Sequence, residues 1–432
     1  MYKIIIFTIQ LLVLLFILTL IFSNPFIISL DISNLKYSFS SNIFFGIVIA
    51  FLLLIYLSIY IYLKSRLTIS KYILRNKYKK IEKGYYYFVE AMIALANKDH
   101  KNASISHRKM NNFLKGDQSL SLLLRSEVFK IENKFPDLIE VYEEMIKSKK
   151  TESLGYRGLM EINLKNQDYH HAFLYGEKLF YLNPYIDKLY ETLVYIAAKT
   201  KNWNQVINIS DKAFSKKIIS RDTLNENKSI GLYEIAKIKS DSNIKESTKN
   251  IIKALELKKN FVPYIKLHLE LITKTNNIKL IKKMIKKYWY QNPNSDLRMI
   301  IKNILIANKL DKISFISEIT NKFENEDSKK LLIYFAIRNK EWKIARESII
   351  GIIGSNPSRE VCLFMADIEL GENNDKQKSD AWILRSQNAT LENMWICKIT
   401  NKTQPEWDSL SDSGHFNSLV WSAPKMLNNI LN

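Results

Sequence analysis

Asn166-Gln167-Asp168-Tyr169, followed 34 residues on by Lys201-Asn202-Trp203, is the stretch that decides how this chain folds. The phrase returns on both sides, as Asn97-Lys98-Asp99-His100, Asn133-Lys134-Phe135, Ser242-Asn243-Ile244, Asn276-Asn277-Ile278 and Lys340-Glu341-Trp342. The ring or apolar residue that closes it falls at positions 100, 135, 169 and 203, resumes at 244 and 278, and reaches 342 after two shorter periods, with weaker instances around 310–313 and 371–375. A 34-residue period is the mark of stacked helix-turn-helix units.

The rest of the unit agrees with that register. Three residues after the closing residue, where two helices must lie close, stand Ala103, Ala172 and Ala345. Fifteen residues after it, Pro184, Pro293 and Pro357 follow Tyr169, Ile278 and Trp342, each in a place where a second helix has to stop. This is the pattern of tetratricopeptide (TPR) repeats. Phe135, Tyr169, Trp203 and Trp342 are expected to wedge between the helices of their hairpins. A hairpin cannot bury its own apolar stripe, so neighbours stack into a solenoid whose concave face is the expected surface for a partner peptide or helix.

Composition supports a helical chain. The 432 residues include only 11 Gly and 8 Pro, too few for a turn-rich β domain or a glycine-lined nucleotide site. The fold class expected is all-α. Two Cys make neither a disulfide framework nor a four-thiolate zinc site. The net charge of +21 sits in a chain rich in Lys, Ile and Asn throughout. Much of it reads as solvated faces, with a basic binding surface as the alternative, and no nucleic-acid partner is expected.

The N-terminal region is different. Ile4–Phe22 and Ile43–Leu63 are uncharged apolar runs of 19 and 21 residues, each near the roughly 20 that cross a bilayer core as a helix. The first is longer than the roughly 7–15 residues of a signal-peptide core, and Ile21-Phe22-Ser23-Asn24-Pro25 offers no small-residue cleavage site. The two runs are read as a transmembrane hairpin joined by a short loop over 23–42. After it, Lys64, Arg66, Lys71, Arg75, Lys77, Lys79, Lys80 and Lys83 face Glu82 alone. Flanking cations stay on the cytoplasmic side, which puts both the N-terminus and the repeats there. Lys64, Arg66, Lys71, Arg75, Lys77, Lys79 and Lys80 form a collar for anionic lipid, each contributing about 1 kcal/mol at the surface. The domain division is 1–63 anchor, 64–83 basic segment, 84–390 solenoid and 391–432 tail.

Nothing in the sequence carries chemistry. Gly351-Ile352-Ile353-Gly354 has neither the spacing nor the Lys of a phosphate loop. His170 and His171 are adjacent and diverge on a helix, His100 and His107 have no accompanying Cys or carboxylate cluster, and Cys362 reads as a small buried hydrophobe. No catalytic, cofactor-binding or metal-ligating residue is assigned, and no cofactor is expected.

With these features in view, the chain resembles the HemY-like family of bacterial inner-membrane proteins. The resemblance rests on the two-run anchor, the repeats, and the local match Leu154-Gly155-Tyr156-Arg157-Gly158-Leu159 followed by Asn183-Pro184 and Lys201-Asn202-Trp203. It implies a non-catalytic, membrane-anchored scaffold with cytoplasmic repeats, gathering proteins that include enzymes of late protoheme synthesis. The alternative is a tethered adaptor in envelope assembly or protein quality control. Arg157 is the candidate partner contact, or else a residue that pairs across its hairpin while Gly158 lets the helices approach.

The tail resembles a small zinc ribbon found in alphaproteobacterial members. Trp395-Ile396-Cys397, Trp407, Gly414-His415-Phe416-Asn417-Ser418-Leu419, Trp421 and Pro424 keep its pattern. Of its four thiolates only Cys397 remains, with Thr400 in the second position and Ser411 and Ser413 in the region of the other pair. Hydroxyls do not replace thiolates on zinc. The expectation is a metal-free ribbon held by Trp395, Trp407, Phe416 and Trp421.

Overall fold

The computed structural model describes residues 2–23, 26–32, 35–114 and 118–424. Asn24 and Pro25, at the end of the first apolar run, and residues 425–432 of the tail lie outside them. The chain divides into two compact units, Met1–Asn133 and Lys134–Asn432.

The first unit holds α1 (Tyr2–Ser23), β1 (Ile27–Ile32), β2 (Leu35–Ser40), α2 (Ser41–Ala96), α3 (His100–Phe113) and α4 (Gln118–Ile131). The segment between the apolar runs is not a plain loop. It is an antiparallel hairpin pairing Ile27 with Ser40 through to Ile32 with Leu35. Its signal is the strict alternation Leu35-Lys36-Tyr37-Ser38-Phe39-Ser40, the period of a strand. Among the described residues one helix, α2, is long and apolar enough to cross a membrane. Its 56 residues correspond to about 84 Å at 1.5 Å per residue. It runs without interruption from the second apolar run through the basic segment, so positions 63 and 83 are not breaks in structure. Its last turns carry Ala91, Ala94 and Leu95, which pack with Ala103 and Met110 of α3 and Leu124 and Val128 of α4.

The second unit contains α5 (Phe135–Met145), α6 (Glu152–Lys165), α7 (Tyr169–Leu182), α8 (Leu189–Lys199), α9 (Trp203–Ser215), α10 (Arg221–Ile238), α11 (Ile244–Leu257), α12 (Val262–Thr273), α13 (Ile278–Gln291), α14 (Ser295–Ala307), α15 (Ile313–Thr320), α16 (Glu326–Arg338), α17 (Trp342–Ile350), α18 (Arg359–Asn373) and α19 (Lys376–Gln387). From α6 onward these form successive TPR-like helical hairpins. The even-numbered helix of each leads into the recurring phrase and the odd-numbered one follows it.

The phrase is a turn written in capping chemistry. Asn166 ends α6, Gln167 takes a left-handed conformation at φ 59°, and Asp168 caps α7 by accepting the His171 amide at 3.1 Å. The same left-handed step recurs at Lys98, Lys201, Asn276, Lys309, Lys340 and Asn374. Asp99, Asn277 and Asp375 cap the following helices in the same way. A side-chain oxygen at this position satisfies an amide that the helix leaves open. The period slips after Trp203 because α10 has 18 residues, longer than its neighbours, and the turn to Asn243 has no left-handed residue.

Ala103, Ala172 and Ala345 are fully buried, as the register requires. The wedge expectation holds for Trp203 alone, which is 4% exposed. Phe135 is 41% exposed, and Tyr169 and Trp342 are half-buried. All four stand at the first position of their helices, so position does not separate them; Trp203 differs in lying within the core cluster of its unit, beside Val206, Leu193 and Ala198. Trp342 instead lies against Gly371, where a Cβ would come within 2.2 Å of the indole.

The expectation of an all-α chain needs a second correction at the C-terminal end. A three-stranded antiparallel sheet follows α19, formed by β3 (Met394–Cys397), β4 (Thr403–Gln404) and β5 (Leu419–Ser422) in the order β4-β3-β5. Trp395 pairs with Gln404 on one side and Trp421 on the other. This ribbon is part of the core of its unit. Trp395, Cys397, Trp407 and Leu419 are buried in one cluster with residues of α8 to α12, among them Leu193, Val206, Tyr233 and Tyr264.

Candidate partner-binding surface

Arg157 lies on α6 and is exposed. Its Nε donates to Glu161 Oε1 at 2.9 Å, one turn along the same helix. It therefore does not pair across the hairpin. The flanking glycines do bring helices together, against α5: a Cβ on Gly155 would lie 2.7 Å from the Tyr142 carbonyl oxygen, and one on Gly158 would lie 2.2 Å from the Tyr142 ring. Arg157 is left as a charged group on an otherwise closely packed helix.

The collar residues Lys64, Arg66, Lys71, Arg75, Lys77, Lys79 and Lys80 are all exposed along the middle of α2. Leu67, Leu74 and Tyr78 are exposed among them. At 100° per residue these three fall on one stripe, flanked by Lys71.

The face of the even-numbered helices, where a solenoid would offer its groove, is occupied in the middle by the chain's own ribbon. Trp407 reaches Tyr233 of α10 at 5.4 Å, Phe261 at 5.1 Å and Tyr264 of α12 at 6.0 Å between ring centroids. Lys266 of α12 meets Glu406 at 2.8 Å, Lys237 of α10 meets Asp408 at 3.8 Å, and Trp421 Nε1 donates to Ser295 Oγ of α14 at 3.0 Å. A partner approaching the even-numbered helices at α10–α14 meets the ribbon, whereas Arg157 on α6 remains exposed.

Cys397, Thr400, Ser411 and Ser413 are hydrogen-bonded within the ribbon itself. Thr400 and Ser413 share a hydroxyl–hydroxyl hydrogen bond of 3.1 Å, Cys397 Sγ donates to Ser418 Oγ at 3.3 Å, and Ser411 Oγ accepts the His415 amide at 3.2 Å. Burial pushes the Cys397 thiol up, but the Ser418 and Thr400 hydroxyls and the Thr400 and Ile399 amides outweigh it and bring the group down to about 6. Of the four named supports, Trp395 and Trp407 are buried, and Phe416 and Trp421 are partly buried. Among the described residues no three His, Cys, Asp or Glu converge on one point.

The histidines go separate ways. His171 binds Asp168 at 2.7 Å, His107 lies 3.3 Å from Ser121 and 3.2 Å from Asn111, and His268 is buried against the Tyr288 hydroxyl with its basicity lowered by burial to about 4. Cys362 is fully buried.

Two polar features were not singled out by sequence reasoning. The first is a buried ion network. Arg298 of α14 is 3% exposed and makes a two-pronged contact with Glu360 of α18 at 2.6 and 2.6 Å, plus a bond to Asp327 at 3.0 Å. Lys330 of α16, also 3% exposed, binds Glu326 at 2.9 Å and Glu392 at 3.3 Å. Arg298, Lys330 and Cys362 are spaced by 32 residues, the same place in successive even-numbered helices, and that register was the available signal. The second feature is a cavity of about 550 Å³ between the ribbon and α10, α12 and α14. Tyr233, Trp395, Trp407 and Trp421 contribute its aromatic surface, with Asp296, Glu270 and Glu406 as its carboxylates.

No family model matches the chain, and no curated protein matches it. The chain is similar to several solved structures. These include Naa15/Naa10 bound to HypK-THB (13% identity, 71% of this chain and 63% of that one, TM-score 0.32) and the TPR2AB-domain:pHSP90 complex of yeast Sti1 (10% identity, 70% and 98%, TM-score 0.30). Yeast Tom70 is similar at 13% identity over 72% and 77% of the two chains, with a TM-score of 0.29. The chain thus spans less than two thirds of the first of these. Superpositions this loose leave the assignment to the hairpins themselves, whose capped, left-handed turns and buried small residues make the second unit a TPR-like solenoid.

Proposed function

We propose that the chain is a non-catalytic scaffold, anchored in a bacterial inner membrane by α1 and α2, which gathers partner proteins on its hairpins at the cytoplasmic face. The observation that carries the reading is α2. Its apolar part contains an 18-residue window with no buried residue and a mean hydropathy of 2.7. Its middle presents the seven collar cations, and its last turns belong to the core of the first repeats. One continuous element thus ties a membrane-compatible segment to the repeats, with Lys64, Arg66 and Lys71 within about 12 Å of the apolar run's end, where they would meet anionic lipid. A scaffold raises the local concentration of what it holds, an effect set by geometry rather than by bond chemistry. Arg157, exposed on α6, is the proposed partner contact.

The HemY-like resemblance extends the reading to late protoheme synthesis. A reporter fused after residue 90 is expected to be active only in the cytoplasm, and periplasmic activity there would overturn the orientation. Deleting the gene should let porphyrin intermediates accumulate while the isolated late enzymes keep their rates. Unchanged porphyrin levels would remove the heme link and favour the envelope adaptor.

A further inference from the structure

Asp296 stands in the first turn of α14, 9% exposed, on the wall of the 550 Å³ cavity. Among the described residues no hydrogen bond or ion pair reaches its carboxylate. The two lysines that border the cavity are already committed, Lys266 to Glu406 at 2.8 Å and Lys237 to Asp408 at 3.8 Å. Glu270 of α12 borders the same space, and burial holds it above the usual carboxylate range. A carboxylate taken from water without a partner is costly unless something compensates. The cavity is of the size that holds small ligands or a single long side chain. An anion would face Asp296 and Glu270, which have no ion-pair partner among the described residues, and a neutral occupant would leave Asp296 unpaired. Four aromatic rings, Tyr233, Trp395, Trp407 and Trp421, line the space, and such rings receive alkylated ammonium and guanidinium groups. The acid-lined cavity also runs against the protein's overall charge of +21.

We propose that the cavity between the ribbon and α10, α12 and α14 binds an organic cation, an ammonium or guanidinium group on an apolar body, with Asp296 as its counter-ion and the tryptophans of the ribbon as its walls. The inference does not depend on the scaffold reading, since it rests on the residues of the cavity itself. Two sources share the chemistry: a free small cation such as choline, or a lysine or arginine side chain presented by a peptide.

The test follows tryptophan fluorescence of the full chain in a nonionic maltoside micelle. The titrants are choline, N-acetyl-lysine methylamide and N-acetyl-arginine methylamide, with 3,3-dimethylbutan-1-ol as the uncharged mimic of choline. At least one cation should give a saturable change, and the mimic should bind at least about tenfold more weakly than choline wherever choline binds. Asp296→Asn should weaken the cation by at least about tenfold with thermal unfolding no lower than wild type, and Glu270→Gln by less. Saturation by choline identifies a free cation as the source; saturation by the lysine or arginine analogue alone identifies a presented side chain. Absence of any saturable response, equal binding of the mimic, or full binding by folded Asp296→Asn would each overturn the proposal. Should Asp296→Asn fail to fold, the mimic and Glu270→Gln arms still decide it.

Discussion

Two arginines on even-numbered helices of the same solenoid have opposite settings. Arg157 on α6 is exposed and bonded to Glu161 one turn away. Arg298 on α14 is 3% exposed and held by Glu360 and Asp327 from two other helices. The first was conspicuous in the sequence because it sits in a recognisable phrase; the second was not, because its partners lie 62 and 29 residues away. The contrast separates residues available to a partner from residues that hold hairpins in register. An exposed ion pair contributes little to stability. Removing one side of a buried pair strands the other charge and costs about 3–5 kcal/mol. Arg298→Ala should therefore produce the largest loss discussed here, read as a drop in the midpoint of chemical unfolding. Arg298→Ala combined with Glu360→Ala should lose less than the two single changes together, because the stranded charge goes with its partner. A loss below about 1 kcal/mol for Arg298→Ala would mean the network is decorative.

Asp296, two residues before Arg298, sharpens the comparison because its carboxylate is buried without the partners that its neighbour has. Burial pushes it up to about 7, with the Lys266 charge pulling the other way. The groups facing it are Glu270 and Lys266 from α12, Lys237 from α10 and Glu406 from the ribbon, with Glu226, Lys258 and Lys398 across a second cavity of about 370 Å³. A carboxyl whose folded value is raised favours the folded state most at low pH. That contribution is lost as pH rises from about 4, through the folded value near 7. At pH 8 the burden is on the order of 3–4 kcal/mol. Asp296→Asn should recover about 2–4 kcal/mol at pH 8 and little at pH 4, measured by denaturant unfolding at the two pH values. An equal effect at both would show that the carboxylate is solvated or paired.

How much was legible follows the range of the interactions. The repeat period was legible because each turn is local: Asn166, Gln167 and Asp168 end one helix, bend the chain and cap the next within three residues. The buried Ala103, Ala172 and Ala345 followed from that register. The β1–β2 hairpin was present as alternation over Leu35–Ser40 and was passed over in a stretch framed by two apolar helices. The ribbon's aromatic pattern was visible, but its docking was not. Trp421 meets Ser295 across 126 residues, and no local periodicity encodes such a contact. Phe135 and Trp203 were expected to wedge alike, and both open their helices, yet one is 41% exposed and the other 4%, a difference set by the neighbouring hairpins rather than by the turn.

The glycines on either side of Arg157 give a smaller, steric version of the contrast. A Cβ on Gly158 would lie 2.2 Å from the ring of Tyr142, itself 7% exposed, whereas one on Gly46 in the apolar part of α2 would meet nothing within 4 Å. Both are helical, so alanine brings each the same backbone gain, up to about 1 kcal/mol. Gly158→Ala must also displace a buried ring, at a cost of about 1–3 kcal/mol. Thermal unfolding should fall for Gly158→Ala and stay level or rise for Gly46→Ala. Equal behaviour at the two sites would mean that α5 and α6 do not depend on their close approach.

Arg157 itself is expected to matter least to folding. Its bond to Glu161 joins side chains that are 56% and 42% exposed, one turn apart on a helix. Pairs of this kind are worth about 0.3–0.5 kcal/mol. Arg157→Ala should leave the unfolding midpoint within that margin of wild type. The consequence for function is separate. A charge on an exposed helical surface affects how fast and how selectively a partner docks more than how well the scaffold folds. Arg157→Glu reverses that charge and places it one turn from Glu161, at little cost to stability. If α6 is where a partner is held, the reversal should deplete a defined set of proteins from cross-linked native membranes while the amount of scaffold stays constant. The same proteins recovered from wild type and Arg157→Glu in equal amounts would remove Arg157 from the partner surface. A fall in the amount of scaffold would instead show that the residue supports the fold, against the geometry of its single bond.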